Sequence, residues 1–594
     1  MRPPRPPPSR HRWPATRNVG IPQSSSEEEG DVMPQELPGR EDLIQWVESR
    51  PRNYYDGSTN LTAVLDLRAG ADRRRGMEPR LRDFGAAVAQ VIEPAVVRVE
   101  QHRELPALIA YDSVGRRVER IEFHPDQHVA TAAAWNSGLL SCDHRTGGAF
   151  EQAALFYLLS HVGEGGIACP AVCTVGLGRA LDHRGSDDLR SRYLAAVRAD
   201  GVDGALRGSQ FLTEVQGGSD VGANLVSAVA DADEPGAWRI SGEKWFCSVA
   251  DADLFVVTAR PLDAVGGTKG LGCFLVPRSL DGATPNGFRI RQLKDKLGTR
   301  ALASAEIDFE GALGWPIGGL DEGFSVAVEE LLNTSRWLNA VGSTGLMRRA
   351  YLEAVSFARH RRAFGRTIGS IPIVREQLAI MKAEEFAALS STMALTELVD
   401  RIDRGLETER DVAVHRFLVN VNKFQTSLSA TSVVHQGIEI LGGNGTIEAF
   451  SALPRLYRDA VVYESWEGTH NVLCAQVQRD CTRLGLLDHV VAWLEVQLGS
   501  VGTEHALVVI AALATLLPEF REAVDAGEEG ASEVRRLVDR FARVIQATTL
   551  LGEVATGGPV KAAVAELFIF THLWGIVTGA PSRELVDAVL GEDL

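Results

Sequence analysis

Apolar positions change their spacing twice along this chain. In the first third they recur every three or four residues. Asp83 to Glu93 carries Phe84, Val88, Val91 and Ile92 at that spacing, the pattern of an amphipathic helix. Pro94 is expected to end or kink it, because the ring removes a donor and crowds the preceding turn. Phe150 to Ser160 reads as another helix, and Gly163, Gly165, Gly166 and Pro170 mark a break after it. After Ala205 the period drops to two. Ala305, Ile307 and Phe309 alternate with Glu306, Asp308 and Glu310, and Phe288 and Ile290 with Arg289 and Arg291. Leu254 to Thr258 and Cys273 to Val276 are compact apolar runs, so this region predicts strands of a small β domain. Beyond Gly323 helical spacing returns over 324–332, 342–360, 372–399 and 412–440, with lengths and short joins that suit a four-helix bundle. Further helices are expected near 487–517, 531–553 and 559–578, the last two separated by Gly557, Gly558 and Pro559.

The pattern predicts an α+β chain: a helical amino-terminal domain over 39–204, a central barrel-like β domain over 205–318, a helical bundle over 319–485 and an additional helical domain over 486–594. Residues 1–38 are expected to form a disordered tail. They run from a Pro- and Arg-rich stretch without an apolar core, unlike a signal peptide, into Glu27, Glu28, Glu29 and Asp31. The apolar fraction of 45% and charged fraction of 23% are those of a soluble globular protein. The most apolar stretch, Val560 to Gly579, contains Lys561, Glu566 and His572 and reads as a buried helix, so no membrane span is expected. The seven cysteines form no CxxC pair, and Cys169 and Cys173 lack the second pair or nearby His that a metal site needs. A reducing cytoplasm and no metal are expected. The net charge of −17 weighs against broad nucleic-acid binding, although a local basic patch could still do it.

Five segments carry chemistry. Thr213-Glu214-Val215-Gln216-Gly217-Gly218-Ser219-Asp220-Val221 sets small residues in a loop, where backbone can approach a flat ring or a pyrophosphate; taken alone it is an ordinary surface turn. In Gly242-Glu243-Lys244-Trp245-Phe246-Cys247-Ser248, alternation puts Phe246 and Ser248 on one strand face, although a lone Phe246 reads as core. Arg361-Arg362-Ala363-Phe364-Gly365 offers a guanidinium fork for phosphate, or a solvated helix end whose charge suits the helix dipole. Leu441-Gly442-Gly443-Asn444-Gly445 is a second small-residue loop. Trp466-Glu467-Gly468-Thr469 supplies a carboxylate, for catalysis or for helix capping.

Together and in this order, the five segments resemble the acyl-CoA dehydrogenase family over roughly 160–480. Phe123-His124-Pro125-Asp126-Gln127-His128, the stretches 293–300 (LKDKLGTR) and 345–350 (GLMRRA), Lys244 to Phe246 and the long carboxy-terminal addition resemble the alkylation-response branch of that family. The resemblance then covers most of the chain beyond the tail.

That resemblance implies FAD. Thr213 would contact the flavin pyrimidine edge, with Gly218 beside it and Ser219 on the pyrophosphate. Phe246 and Ser248 would lie against the isoalloxazine, Phe246 where relatives often have Trp. Arg361 and the Gly442-Gly443 loop would complete the adenine end from a neighbouring subunit, which implies a homo-oligomer, in this family a tetramer. Phe364, Glu439, Thr469 and Asn471 belong to the same cofactor-binding set. Glu439 stands where many relatives have Gln, and a carboxylate there repels phosphate unless it points elsewhere or accepts a ribose hydroxyl. Glu467 would be the catalytic base, taking the α-proton of an acyl-CoA while the β-hydrogen leaves as hydride to flavin N5. Some relatives carry the base on a different helix, immediately before an Arg; here that place reads Ser335-Arg336, and serine is a poor base without an activating partner. His124 and His128 are four apart but lack a third ligand, so their segment has a structural role or shapes an access channel.

Three functions stay open on the sequence: an acyl-CoA dehydrogenase passing electrons to an electron-transfer flavoprotein, a DNA-associated flavoprotein of the alkylation response, and a flavoprotein oligomer without turnover. Retained Glu467 favours the first. Residues 481–594 hold 8 Lys or Arg against 16 Asp or Glu, which disfavours DNA. Arg535, Arg536, Arg540 and Arg543 are the one basic cluster there, weakened by Glu533 and Asp539.

Overall fold

The computed structural model describes residues 38–280, 282, 284–499, 503–574 and 579–594. The expected tail lies outside the described residues except for Pro38, which opens helix α1 (Pro38–Glu48). Helices α2 (Thr59–Leu65), α3 (Ala71–Ala87) and α4 (Glu93–His102) follow. The stop expected at Pro94 does not occur. A π-helical turn, Val88–Ile92, joins α3 to α4, and its wider hydrogen-bond spacing accommodates the proline in the first turn of α4. Strands β1 (Ala107–Tyr111) and β2 (Arg117–Glu122) form an antiparallel hairpin within the region expected to be helical. Helix α5 (Pro125–Trp135) is capped by the His124 ring, whose Nδ1 accepts from the Asp126 N–H at 3.1 Å. Then come α6 (Ala149–Leu159) and α7 (Ala168–Arg184). Pro170 falls in the first turn of α7 rather than in the break, a position where its missing N–H is harmless.

The central strands are β3 (Gly208–Phe211), β4 (Ser227–Ala230), β5 (Trp238–Ser248), β6 (Leu254–Pro261), β7 (Gly272–Pro277), β8 (Phe288–Leu293) and β9 (Ser304–Pro316). Pairings β6–β4, β4–β5, β5–β9, β9–β7 and β7–β6 close a five-strand barrel, with β3 on β6 and β8 on β9. The four runs read as strands become β6, β7, β8 and β9, because their alternate side chains (Phe255, Phe274, Phe288, Ile307, Phe309) fill the barrel core.

Helix α8 (Asn333–His360) follows the short helix Gly323–Val326 and a π-helical turn, Ala327–Leu332, without a break. The gap expected between 332 and 342 is helix, because α8 is buried on all sides there and shows no polar face to set a period. Helices α9 (Pro372–Asp403) and α10 (Glu409–Leu441) complete the long bundle helices, α10 starting at a Thr408–Asp411 capping box. Helices α11 (Leu453–Ser465) and α12 (His470–Leu484) lie against them. The remaining helices are α13 (Leu486–Gly499), α14 (Glu504–Asp525), α15 (Ala531–Gly552), α16 (Val554–His572) and α17 (Arg583–Leu590). The single helix expected over 487–517 is thus two, and the separation at Gly557 to Pro559 is a kink inside α16, where Gly558 has φ 73°.

These last helices share the bundle's core and are tied to it by buried charge. Glu384 of α9 meets Arg543 at 2.8 Å and His572 at 2.6 Å. Lys382 meets Asp593 at 2.7 Å, and Glu553 meets Lys561 at 2.6 Å and Arg68 at 3.2 Å. α16 is long and apolar enough to cross a membrane; here its Lys561 is buried against Glu553 and Asn60.

Candidate functional site

The Thr213–Ser219 loop leaves the end of β3 and is anchored from inside the barrel. Lys244, fully buried on β5, meets Glu214 at 2.8 Å. The Glu214 carboxylate also accepts the backbone N–H of Leu225 at 2.6 Å and of Val226 at 3.2 Å. Burial by itself would raise Glu214, but the Lys244 ammonium and these hydrogen bonds hold it below the usual carboxylate range. The Trp245 N–H donates to Thr213 O at 3.0 Å and ties the loop to β5. Gly217 takes φ 148°, a conformation that residues with side chains rarely adopt, and a Cβ on Gly218 would lie 2.7 Å from Thr213 Oγ1, so both positions favour glycine.

A register shift in β5 between Lys244 and Cys247 lets both of these point into the barrel. Trp245 and Phe246 therefore both lie outside its core, Phe246 at 51% exposure. The Lys294 ammonium sits 3.4 Å from the Trp245 ring centre and 4.8 Å from that of Phe246. Ser248 pairs with Ser304 across the β5–β9 ladder, hydroxyls 3.0 Å apart. Phe246 and Ser248 share a face as expected, but a bulge sets the approach to it.

Glu467 lies in the turn between α11 and α12. It adopts φ 59° and Gly468 φ 100°, two successive left-handed residues, a conformation that costs a side-chain-bearing residue about 1–2 kcal/mol. Buried cations hold the turn's carbonyls. Arg336 Nε donates to Glu467 O at 2.9 Å, while its Nη1 reaches Asn420 at 2.9 Å and Gln476 at 3.0 Å. Lys423 of α10 donates to Glu464 O at 2.9 Å and Gly468 O at 2.8 Å. Burial pushes the Glu467 carboxyl up to about 6, against the opposing pull of Arg336 and Lys423. Burial likewise pulls Lys423 down to about 7. The carboxyl opens on a narrow pocket with walls from Phe156, Ala168, Cys169, Val172, Cys173, Tyr463 and Trp466 and three polar residues, Ser335, Asn339 and Glu467.

The Arg361 segment is separate. It forms a two-strand hairpin, Arg362–Ala363 with Arg366–Thr367, whose tip Phe364 is 92% exposed at φ 52°. Arg361 Nη1 reaches Gly39 O at 3.4 Å, and Glu439 accepts from Gln377 at 3.1 Å. Gly442 takes φ 61° at the end of α10. Among the described residues, no hydrogen bond or ion pair joins Arg361, Phe364, Glu439, Gly442 or Gly443 to the Thr213–Ser219 loop or to Ser248. Thr469 caps α12 through its backbone conformation, and Asn471 accepts from Arg535 of α15. The basic cluster is engaged throughout: Arg536 with Glu533, Arg540 with Glu519 at 2.6 Å and Arg543 with Glu384 at 2.8 Å. Phe123, Gln127 and His128 line a cleft between α5 and the barrel, bordered by Arg207, Arg278 and Leu302. Lys423 had no signal in the sequence, since a single lysine in a long helix reads as solvated.

A closed barrel with a small-residue loop at its rim, set against a helical bundle that presents one carboxylate over an apolar pocket, fits a flavin-dependent dehydrogenase of the acyl-CoA dehydrogenase class. The chain belongs to the acyl-CoA dehydrogenase family. Residues 321–482 match the acyl-CoA dehydrogenase C-terminal domain, 209–312 the acyl-CoA dehydrogenase middle domain, and 45–203 the adaptive response protein AidB N-terminal domain. The chain is 33% identical over 391 residues to the putative acyl-CoA dehydrogenase AidB of Escherichia coli, covering 63% of this chain and 69% of that protein. It is 30% identical over 412 residues to acyl-CoA dehydrogenase family member 11 of Caenorhabditis elegans, covering 67% and 66%. The crystal structure of C. elegans ACDH-11 in complex with C11-CoA superposes with a TM-score of 0.84 at 26% identity, over 95% of this chain and 97% of that one. FAD is the cofactor of the family, and the residues present fit it: a tight Gly217-Gly218 turn at the barrel rim with open space beside Gly217, and an outward aromatic and a hydroxyl on the adjoining strand.

Proposed function

We propose that this protein dehydrogenates acyl-CoA thioesters at the α,β bond, with Glu467 as the base. The observation that carries this reading is a single carboxylate, lifted to about 6 by burial, at the mouth of an apolar pocket. A base with that value is ionised at neutral pH yet holds a proton more strongly than an exposed glutamate, which suits removal of a weakly acidic α-proton. Arg336 grips the Glu467 carbonyl, and the left-handed turn aims the side chain, so the base is preorganised before substrate arrives. The apolar walls exclude water from the exposed α-carbon. The Glu467 backbone N–H would polarise the thioester carbonyl as charge develops there. When bound, FAD accepts the β-hydrogen as hydride.

Thr213, Gly218 and Ser219 would hold the flavin at the barrel rim, with Phe246 and Ser248 against the ring and Thr469 and Asn471 beside the Glu467 turn. Among the described residues, no hydrogen bond or ion pair joins Arg361, Phe364, Glu439, Gly442 or Gly443 to that rim, and Phe364 protrudes into solvent. This supports an adenine end completed by a second copy, and with it a homotetramer whose assembly strengthens as FAD binds. The electron acceptor would be an electron-transfer flavoprotein, and the free cysteines suit the cytoplasm.

The test is anaerobic mixing of the purified yellow protein with straight-chain, branched and hydroxylated acyl-CoAs. Bleaching of the flavin absorbance by at least one ester, lost in Glu467→Gln while FAD stays bound, is the expected result. Equal bleaching by wild type and Glu467→Gln would remove Glu467 from the chemistry.

A further inference from the structure

The cleft between α5 and the barrel has a volume of about 520 Å³ and shares no lining residue with the Glu467 pocket. The first turn of α7 divides the two, with Cys169 on one side and Pro170 on the other. Two arginines at one end of the barrel supply the chemistry of the cleft. Arg278 Nη1 donates to Ala250 O at 2.8 Å, and Arg207 Nη2 donates to the next carbonyl, Asp251 O, at 3.0 Å. Consecutive carbonyls of one turn thus hold both guanidiniums, near enough to repel each other. Arg207 meets the Asp251 carboxylate at 2.6 Å and stands 3.9 Å from that of Asp253, which does not line the cleft. Arg278 makes no ion pair among the described residues. Its Nη2 donates to another carbonyl, Glu119 O, and Asp251, Asp253 and Glu119 act on it only from beyond ion-pair distance. The forks are open. Arg207 keeps 31% of its side chain exposed. Neither Nε has a hydrogen-bond acceptor, and neither is sealed from solvent. Apolar side chains complete the cleft, among them Phe123, Trp135 of α5 and Leu302.

We propose that this cleft is a second small-molecule site, for a carboxylic acid with an apolar body. The carboxylate would lie on the Arg207 and Arg278 forks, and the body against Phe123, Trp135 and Leu302. A guanidinium fork matches the two oxygens of a carboxylate. A partly buried cation that faces only carbonyl dipoles gains more from an arriving anion than one already paired with an acid. One guanidinium without an ion pair matches a single negative charge. A doubly charged phosphate would instead bring its second charge against Asp251 on the same wall. The volume lies in the range of pockets that enclose small organic ligands, about 300–1,000 Å³, and the mixture of apolar walls with a few convergent polar groups is theirs as well. The site is independent of the dehydrogenase reading, because none of its residues touches the Glu467 pocket.

The experiment titrates octanoate, 1-octanol and inorganic phosphate into the FAD-loaded protein by calorimetry. Octanoate should bind, and the alcohol and the phosphate should each bind about tenfold more weakly or worse, since a hydrogen bond to a charged group is worth about that factor or more. Two variants address the cleft. Arg278→Gln removes the charge, and Ala132→Trp fills the space from α5 without touching either arginine. Each, checked for bound FAD, should weaken octanoate by about tenfold or more; if Arg278→Gln fails to hold FAD, Ala132→Trp decides. Val172→Phe narrows the Glu467 pocket instead and should leave octanoate binding unchanged. Octanol or phosphate binding as tightly as octanoate would overturn the proposal, and so would an absence of octanoate binding. Octanoate affinity that survives Ala132→Trp, or falls as far in Val172→Phe, would place the acid elsewhere and overturn it too.

Discussion

Replacing Glu467 by Gln should make this protein more stable while disabling it. The substitution keeps the shape and removes the charge. In the folded chain burial lifts the carboxyl from 4.5 to about 6, even with Arg336 and Lys423 pulling the other way. The folded state therefore holds that proton more tightly than the unfolded state does. Below about pH 4.5 both states are protonated and the group is neutral in its effect. As pH rises through 4.5 to 6 the unfolded chain ionises more readily, and folding stability falls until both states are ionised. The full gap corresponds to about 2 kcal/mol, and because Glu467 is only partly buried in the pocket about 1–2 kcal/mol is the expected size. Glutamine escapes this penalty. At about 2–4 °C per kcal/mol for a unit the size of the bundle, Glu467→Gln should melt about 2–8 °C above wild type at pH 8, with the gap closing at pH 4. The assay is thermal unfolding followed by tryptophan and flavin fluorescence across pH, with FAD saturating. A glutamine variant no more stable at pH 8, or a gap of equal size at both pH values, would refute the reasoning.

Three further outcomes are expected. Lys244→Met leaves Glu214 as an unpaired buried carboxylate and should cost about 3–5 kcal/mol, read as early melting with loss of FAD; Lys244→Met/Glu214→Gln should recover part of it, and a single variant as stable as wild type would show that the pair does not anchor the flavin loop. Lys423→Met removes a cation that lowers Glu467, so the acidic limb of the pH–rate profile, expected near pH 6 in wild type, should move up by about one pH unit, and an unmoved limb would count against the contact. Gly218→Ala would set a Cβ 2.7 Å from Thr213 Oγ1, and equilibrium dialysis should find FAD binding weakened by tenfold or more, at about 1.4 kcal/mol per decade, with binding unchanged as the contrary result.

Local pattern and side-chain chemistry alone determined a good deal here. Period-two runs such as Phe288 to Arg291 and helical runs such as Asp83 to Glu93 specify their elements because each buries one face or stripe, and that regularity is written in the chain. The motifs from Thr213 to Thr469 pointed to the class only through their resemblance, as a set and in order, to a known family, since each segment taken alone also has an ordinary structural reading. What the sequence withheld was decided by contacts between distant segments. Pro94 does not stop its helix, because a π-helical turn precedes it. Residues 333–341 read as a gap and are helix, because burial on every side erases the polar face on which periodicity depends. The arginines of α15 look like a basic surface and are each engaged by a side chain on their own helix or a neighbouring segment. Lys423 and Glu467 lie far apart in sequence, and only packing of α10 beside the α11–α12 turn brings that ammonium to the turn's carbonyls; the same packing buries the carboxyl, and burial lifts it to about 6 although the ammonium pulls the other way. A residue's type is local information; its degree of burial and its partners are properties of the assembled fold, and the chemistry of this pocket follows from those.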